Sequence, residues 1–276
     1  MMTAVGSLLL AGSLCAQIAV RSGDKIAFLG DSITARGNQP AGYVNMVIET
    51  LAANGIKAVK IPAGISGNKS NQMLNRLDKD VIAKTPRIMT LSCGVNDVWH
   101  GKRGVSLKDY KKNICAIVDK AQQSGIQVYI LTATMITENP AAPNNQKLAA
   151  YNDFLRSLAK EKNCVLVDLN ADMQKELVLM HAKHPGIKGN LLTVDGVHMN
   201  PFGDQMMARG ILRAFGVTDE QISKGEPIWQ KKVWNQTVPL TVQEYLTLAR
   251  NAFASGKTIP EYLKMFVKQD IAAKSK

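Results

Sequence analysis

The fold class that this sequence predicts is α/β: a parallel sheet with helices on both faces, followed by a C-terminal helical extension. Two observations predict it. Between residues 25 and 169, short β-rich runs alternate strictly with longer segments of helical periodicity. Such alternation requires crossover connections, and those lay helices over the faces of a parallel sheet. The polar and glycine-rich stretches also follow the strands instead of interrupting them. In sheets of this kind ligands bind beyond the carboxyl ends of the strands.

The elements follow in order. KIAFLG (25–30) is an apolar run that reads as the first strand. AGYVNMVIETLAANG (41–55) carries apolar residues at helical spacing and closes on Asn-Gly, a helix stop. KAVKIPAG (57–64) reads as strand two and SNQMLNRLDKDVIAK (70–84) as the next helix. RIMTLSCG (87–94) is strand three, and SLKDYKKNICAIVDKAQQSG (106–125) is a helix closing on glycine. IQVYILTA (126–133) is strand four, NQKLAAYNDFLRSLAKEKN (145–163) a helix, and CVLVDL (164–169) strand five. Pro201 opens a further helix after the stretch VDGVHMN. In the extension, residues 217–276, GEPIWQKKVWNQTVP (225–239) reads as irregular. Two helices follow it, opened by the capping boxes Thr241-x-x-Glu244 and Thr258-x-x-Glu261 and separated by Gly256. Their apolar faces are expected to pack on the main domain.

The first twenty residues carry no charged side chain, and Ala4–Leu14 has the length of a signal-peptide apolar region. Residues 1–16 therefore read as a secretory signal peptide, residues 17–216 as the main domain, and the protein as exported. The signal lacks the usual basic start. No later stretch approaches the ~20 apolar residues of a membrane span, so no membrane insertion is expected after cleavage. Cys93, Cys115 and Cys164 would then remain, an odd and unclustered set that forms neither a disulfide framework nor a zinc site. The net charge is +12, of which residues 221–276 carry +5. The excess is spread along the chain, and aromatics make up 5%. A nucleic-acid partner is not expected, since it calls for clustered basic residues with interleaved aromatics. A diffuse positive field does suit an anionic substrate.

Ser32 stands after Gly30-Asp31 at a strand-to-helix corner. Taken alone it reads as a helix cap. It also reads as a nucleophile, which needs a base. His198 supplies one candidate, three residues after Asp195 in DGVHMNPFG. A D-x-x-H turn can set a carboxylate on one imidazole nitrogen and leave the other for a hydroxyl. Acyl transfer also needs oxyanion donors. Candidates are the amides of Ser32 and Gly67 and the side-chain amide of Asn96. No metal or cofactor is expected: His181 and His184 lack a cysteine or carboxylate cluster, and GNKS fails the phosphate-loop pattern because Asn68 stands where glycine is required.

The blocks GDS (30–32), Gly67, GVND (94–97) and DGVH (195–198) resemble, in order, the four blocks of the SGNH (GDSL-like) hydrolase superfamily. The resemblance covers roughly residues 25–215, with Ile33 where leucine is usual. It implies a flavodoxin-like three-layer α/β/α sandwich with a five-stranded parallel sheet. It implies catalytic Ser32, Asp195 and His198, an oxyanion hole of Ser32, Gly67 and Asn96, and hydrolysis of carboxylic esters or thioesters.

The loops around these blocks are polar, with Arg36, Lys69, His100, Lys102 and Arg103 among them. That favours a small acyl group on a hydrated leaving group. Trp99, His100 and Arg36 are candidate substrate contacts, with Trp99 placed to stack on a sugar. The expectation is a serine esterase that removes acetyl groups from carbohydrate, a glycan that carries negative charge among the candidates, and the resemblance extends to exported carbohydrate O-acetylesterases. The alternatives are a lysophospholipase or acyl-thioesterase of the same superfamily, and a glycan-binding module without turnover.

Overall fold

The computed structural model of the chain describes residues 18–274; residues 1–16, expected to be a signal peptide, lie outside the described residues. Five strands form one parallel sheet: β1 (Lys25–Gly30), β2 (Val59–Gly64), β3 (Ile88–Ser92), β4 (Gln127–Leu131) and β5 (Val165–Val167). Their order is β2-β1-β3-β4-β5, with every neighbour pair parallel. This is the flavodoxin-like order, as expected, and its switch point lies between β1 and β3. The burial of the strands follows their position. Ile26–Leu29 and Ile88–Leu91 of the two central strands are almost wholly inaccessible. Edge strand β2 alternates between buried Ile61 and Ala63 and accessible Lys60 and Pro62.

The helices are α1 (Ser32–Gly37), α2 (Tyr43–Ala53), α3 (Ser70–Asp80), α4 (Val95–Trp99), α5 (Leu107–Gln123), α6 (Pro143–Glu161), α7 (Leu169–Lys183) and α8 (Pro201–Ala214). Helix α2 packs on α8, and α3, α5 and α6 pack as a second layer. Tyr43, Val44, Val47 and Leu51 give α2 its buried stripe at helical spacing. Helix α3 ends at Asp80, short of the expected Lys84; a 3₁₀ turn at Ile82–Lys84 replaces its last turn. Two short helices, α9 (Asp219–Ser223) and α10 (Glu226–Trp229), follow α8.

The expected boundary lies at 216/217, and these two helices follow it in the chain. The described residues divide into two compact units, one ending at Val233 and the other beginning at Trp234. Trp229 is buried and its indole N–H donates to the Met46 carbonyl at 3.2 Å, and Asn54 donates to the Gln221 carbonyl at 2.8 Å. Residues 217–233 therefore complete the α/β unit, and GEPIW is helical, not irregular. The second unit holds α11 (Val242–Ala254) and α12 (Ile259–Lys274). A Thr241–Glu244 capping box opens α11. The Glu261 carboxylate accepts from the amide and hydroxyl of Thr258 at 2.9 and 2.7 Å.

Candidate active site

Ser32 is the first residue of α1, directly beyond β1. Asp31 caps the corner by accepting from the Ile33 amide at 2.9 Å. Gly30 is required there by close approach: a Cβ on it would sit 2.0 Å from Thr34 Oγ1. Burial, first of all, and then the nearby Asp97 push the Asp31 carboxyl up to about 7.

His198 reaches Ser32 from the far end of the chain. Its Nε2 lies 2.9 Å from Ser32 Oγ and its Nδ1 lies 2.7 Å from Asp195 Oδ2. The second carboxylate oxygen of Asp195 accepts from the amides of Val197 and His198 at 3.1 and 2.8 Å. Burial opposes the Asp195 charge, but these amides and the imidazole outweigh it and hold the carboxyl below its ordinary range. An ionised Asp195 fixes the Nδ1–H tautomer and leaves Nε2 as the acceptor for the serine proton.

The Asp195–His198 loop is itself pinned. Glu138, beyond β4, accepts from the amides of Leu191 and Leu192 and from the Thr193 hydroxyl, at 2.6–2.8 Å. The Thr193 hydroxyl in turn accepts from the Gly196 amide at 3.1 Å. At the far end of the loop, Asn200 caps α8 by accepting from the Phe202 and Gly203 amides.

Gly67 comes from the loop after β2 and Asn96 from the first turn of α4 after β3, on either side of β1. Gly67 has φ +77°, a conformation that favours glycine. Asn96 is buried; its Nδ2 donates to the Asn68 carbonyl at 3.1 Å and its Oδ1 lies 3.2 Å from His100 Nε2. His100 thereby fixes which way the amide faces, and the second N–H of Nδ2 remains for another acceptor. Below it, the fully buried Asp97 accepts from the Ser70 amide and hydroxyl at 3.0 and 2.6 Å. Burial pushes the Asp97 carboxyl up despite those bonds. The loop that carries Gly67 is thus tied to α4 at two points.

Arg76 on α3 makes a third tie. Its guanidinium donates to Asn68 Oδ1 at 2.7 Å, to the Gly30 carbonyl at 2.9 Å and to Asp80 at 3.0 Å. It joins the end of β1, immediately before Ser32, to the loop after β2. Sequence reasoning missed Arg76 and Glu138. Arg76 follows Met73 by three positions and precedes Leu77, both fully buried. A charged residue bordering an apolar stripe, with an acid four positions on, was the available signal.

Ser32, Arg36, Gly67, Asn96, Trp99, His100 and His198 line one cleft of about 570 Å³, together with Ser66, Gly101 and Arg103. Asp195 stands behind His198. Trp99 is the only large apolar side chain lining it among the described residues. Arg36 comes within 4.0 Å of Asp195. His100, expected as a substrate contact, also carries the Asn96 amide. Asn145, in the first turn of α6, holds the loop after β4, with Oδ1 accepting from the Ile136 amide at 2.7 Å. Among the described residues no cluster of three or more His, Cys, Asp or Glu could hold a metal ion. Cys93, Cys115 and Cys164 are free thiols.

A serine, a histidine and an aspartate in line at the switch point of a flavodoxin-like sheet form the arrangement of a serine hydrolase. The chain belongs to the GDSL-like lipase/acylhydrolase family, which residues 28–206 match. It is 28% identical over 219 residues to an acetylxylan esterase of Geobacillus stearothermophilus, covering 71% of this chain and 96% of that protein. An arylesterase of Vibrio mimicus is 24% identical over 189 residues, covering 68% of this chain and 86% of that protein. A solved acetyl xylan esterase shares 32% identity with a TM-score of 0.65, covering 69% of this chain and 98% of its own. For the Geobacillus esterase, catalytic mutants with a serine, an aspartate or a histidine replaced by alanine have been solved.

Proposed function

We propose that this chain is a serine esterase that removes acetyl groups from carbohydrate. Ser32 is the nucleophile, His198 the general base and acid, and Asp195 the group that orients and stabilises the imidazolium. As Ser32 Oγ bonds to the acyl carbon, its proton passes to His198 Nε2. The carbonyl oxygen becomes an oxyanion and takes hydrogen bonds from the Ser32 and Gly67 amides and Asn96 Nδ2. On collapse, the bond to the sugar oxygen breaks and that oxygen takes the proton from His198, leaving acetyl-Ser32. Water then attacks the acetyl-enzyme with His198 again as base, releasing acetate and restoring Ser32.

The observation that carries the substrate reading is the wall of the cleft. Around the reactive serine it is built from Arg, His, Asn, Ser and Gly, with a single half-exposed tryptophan. A fatty acyl chain gains ~0.8 kcal/mol per buried CH₂ only where apolar surface receives it, and among the described residues Trp99 is the only large apolar side chain on this wall. Trp99 instead offers a flat face to a sugar ring, and hydroxyls find partners in the polar walls. The names of the acetylxylan esterase relatives support the same reading. The chain is exported; the charge-free residues 1–20 support this, as does a relative in Bacillus subtilis named as a lipoprotein, 25% identical over 221 residues. No helix among the described residues is long and apolar enough to cross a membrane.

The test is an acyl-length series on nitrophenyl esters, paired with acetate release from acetylated oligosaccharides. Acetate esters should be cleaved faster than octanoate esters, and acetylated oligosaccharides should lose acetate. A preference for octanoate would replace this reading with the lipid or thioester one.

A further inference from the structure

We propose that the preferred esters are acetylated acidic glycans, with the carboxylate of a uronic-acid unit bound by Arg103 and Arg36 beside the acetylated sugar. This rests on the carbohydrate reading above and narrows it to a substrate class.

Apart from Arg21, which is exposed outside the cleft, the arginines of the α/β unit fall into two groups. Arg76, Arg87, Arg156, Arg209 and Arg213 each hold a carboxylate within 3.0 Å. These are structural pairs, and their charge is spent within the fold. The two arginines of the cleft are different. Arg103 is exposed on the cleft wall, and its guanidinium has no hydrogen-bond or ion-pair partner among the described residues. Arg36 approaches only Asp195, at 4.0 Å, and that carboxylate is already committed to His198 at 2.7 Å. No aspartate or glutamate lines the cleft among the described residues.

A further cation backs this pair. Lys69 Nζ donates to the Arg103 carbonyl at 2.7 Å, which steadies the turn that presents Arg103 and adds positive charge behind it. The cleft is therefore a concave surface with two guanidinium forks of unused capacity. A planar fork matches a carboxylate with two parallel N–H···O bonds. Charge of one sign in a cleft also focuses the field on an incoming anion. A neutral glycan uses neither property. A sugar acid one ring from the ester uses both, because the arginines and the reactive serine line the same cleft.

Two substrates isolate the carboxylate: an acetylated oligosaccharide bearing a uronic acid, and the same oligosaccharide with that carboxyl reduced to the alcohol. The acidic substrate should show ~10-fold higher kcat/KM at low ionic strength, falling toward parity as salt rises from about 0.02 to 0.5 M. Arg103→Gln should cut the ratio to roughly 2 by removing one fork. Lys231→Gln, which removes the same charge from an exposed site outside the cleft, should leave the ratio where it is. A wild-type ratio at or below one overturns the proposal while the carbohydrate reading stands. So does an equal loss of the ratio in Lys231→Gln and Arg103→Gln, which would make the preference a matter of net charge. Acetate release from neither substrate overturns the carbohydrate reading and this inference with it.

Discussion

Replacing Arg76 by alanine should damage catalysis without touching the cleft. The side chain is 13% exposed and makes three charge-assisted hydrogen bonds, at 2.7, 2.9 and 3.0 Å. Their losses are unequal. The Gly30 carbonyl keeps the Ile65 amide at 3.1 Å, and Asp80 is 24% exposed and regains water. Asn68 Oδ1 has no second partner among the described residues. With hydrogen bonds to charged groups worth ~1.5–3 kcal/mol each and partial compensation at two of the three sites, Arg76→Ala should cost about 2–4 kcal/mol of stability. The catalytic effect is a separate quantity. Arg76 fixes the end of β1 relative to the loop of Gly67, and in the proposed mechanism the Ser32 and Gly67 amides converge on one oxyanion. A misplacement of ~1 Å costs on the order of 10² in rate. The expected kcat is therefore roughly 10–100-fold lower, with KM changed by less than about 2-fold, since ground-state contacts lie elsewhere in the cleft. Arg76→Lys should restore part of both. The assay is denaturant unfolding alongside nitrophenyl acetate kinetics at a temperature where the variant is fully folded. A destabilised variant with wild-type kcat would refute the argument and leave Arg76 a purely structural clamp.

Other outcomes follow from the same geometry. Asn96→Ala should lower kcat by roughly 10²–10³, about 2.7–4 kcal/mol, with KM little changed, and Asn96→Asp should be at least as impaired; a rise in KM alone would make Asn96 a substrate contact instead. Asp31 titrates at about 7 in the fold against 3.8 unperturbed, so the folded chain holds a proton there that the unfolded chain releases. Its contribution is fully present below pH ~4 and is lost as pH rises to about 7, a change of roughly 4 kcal/mol at ~1.4 kcal/mol per pKa unit. Asp31→Asn keeps an acceptor for the Ile33 amide and should flatten that part of the stability–pH curve; an unchanged curve by denaturant titration would show that Asp31 is already ionised across it.

What could be read from the chain, and what could not, divides along physical lines. The sheet was readable because β1 and β3 are buried on both faces, so β1 appears as an apolar run and β3 as one interrupted only by Thr90 before Ser92. The DGVH block was readable because a three-residue spacing fixes Asp195 and His198 on one local turn. Helix α7 went unassigned because Val178 and Leu179 are exposed beside buried Leu177, so its apolar residues trace no clean stripe. Helix α4 is only five residues long, too short for periodicity to register. Arg76 was missed for a deeper reason. Its partners lie on Gly30 and Asn68, so its role exists only once three segments have been brought together, and along the chain it is one polar residue of an amphipathic helix. Helix α10 was hidden likewise, because Pro227 marks an irregular stretch in sequence but opens the turn that buries Trp229.

The central claim is that Ser32 is activated by His198 to attack an acyl carbon, and its most direct test is covalent. The full-length enzyme treated with a fluorophosphonate, digested and mapped by mass spectrometry should carry one adduct, on Ser32. Labelling should be much slower in His198→Ala, and Ser32→Ala should neither label nor turn over acetate esters while unfolding like the wild type. An adduct on a different serine, or a folded Ser32→Ala protein that hydrolyses acetate esters at near-normal rate, would contradict the account.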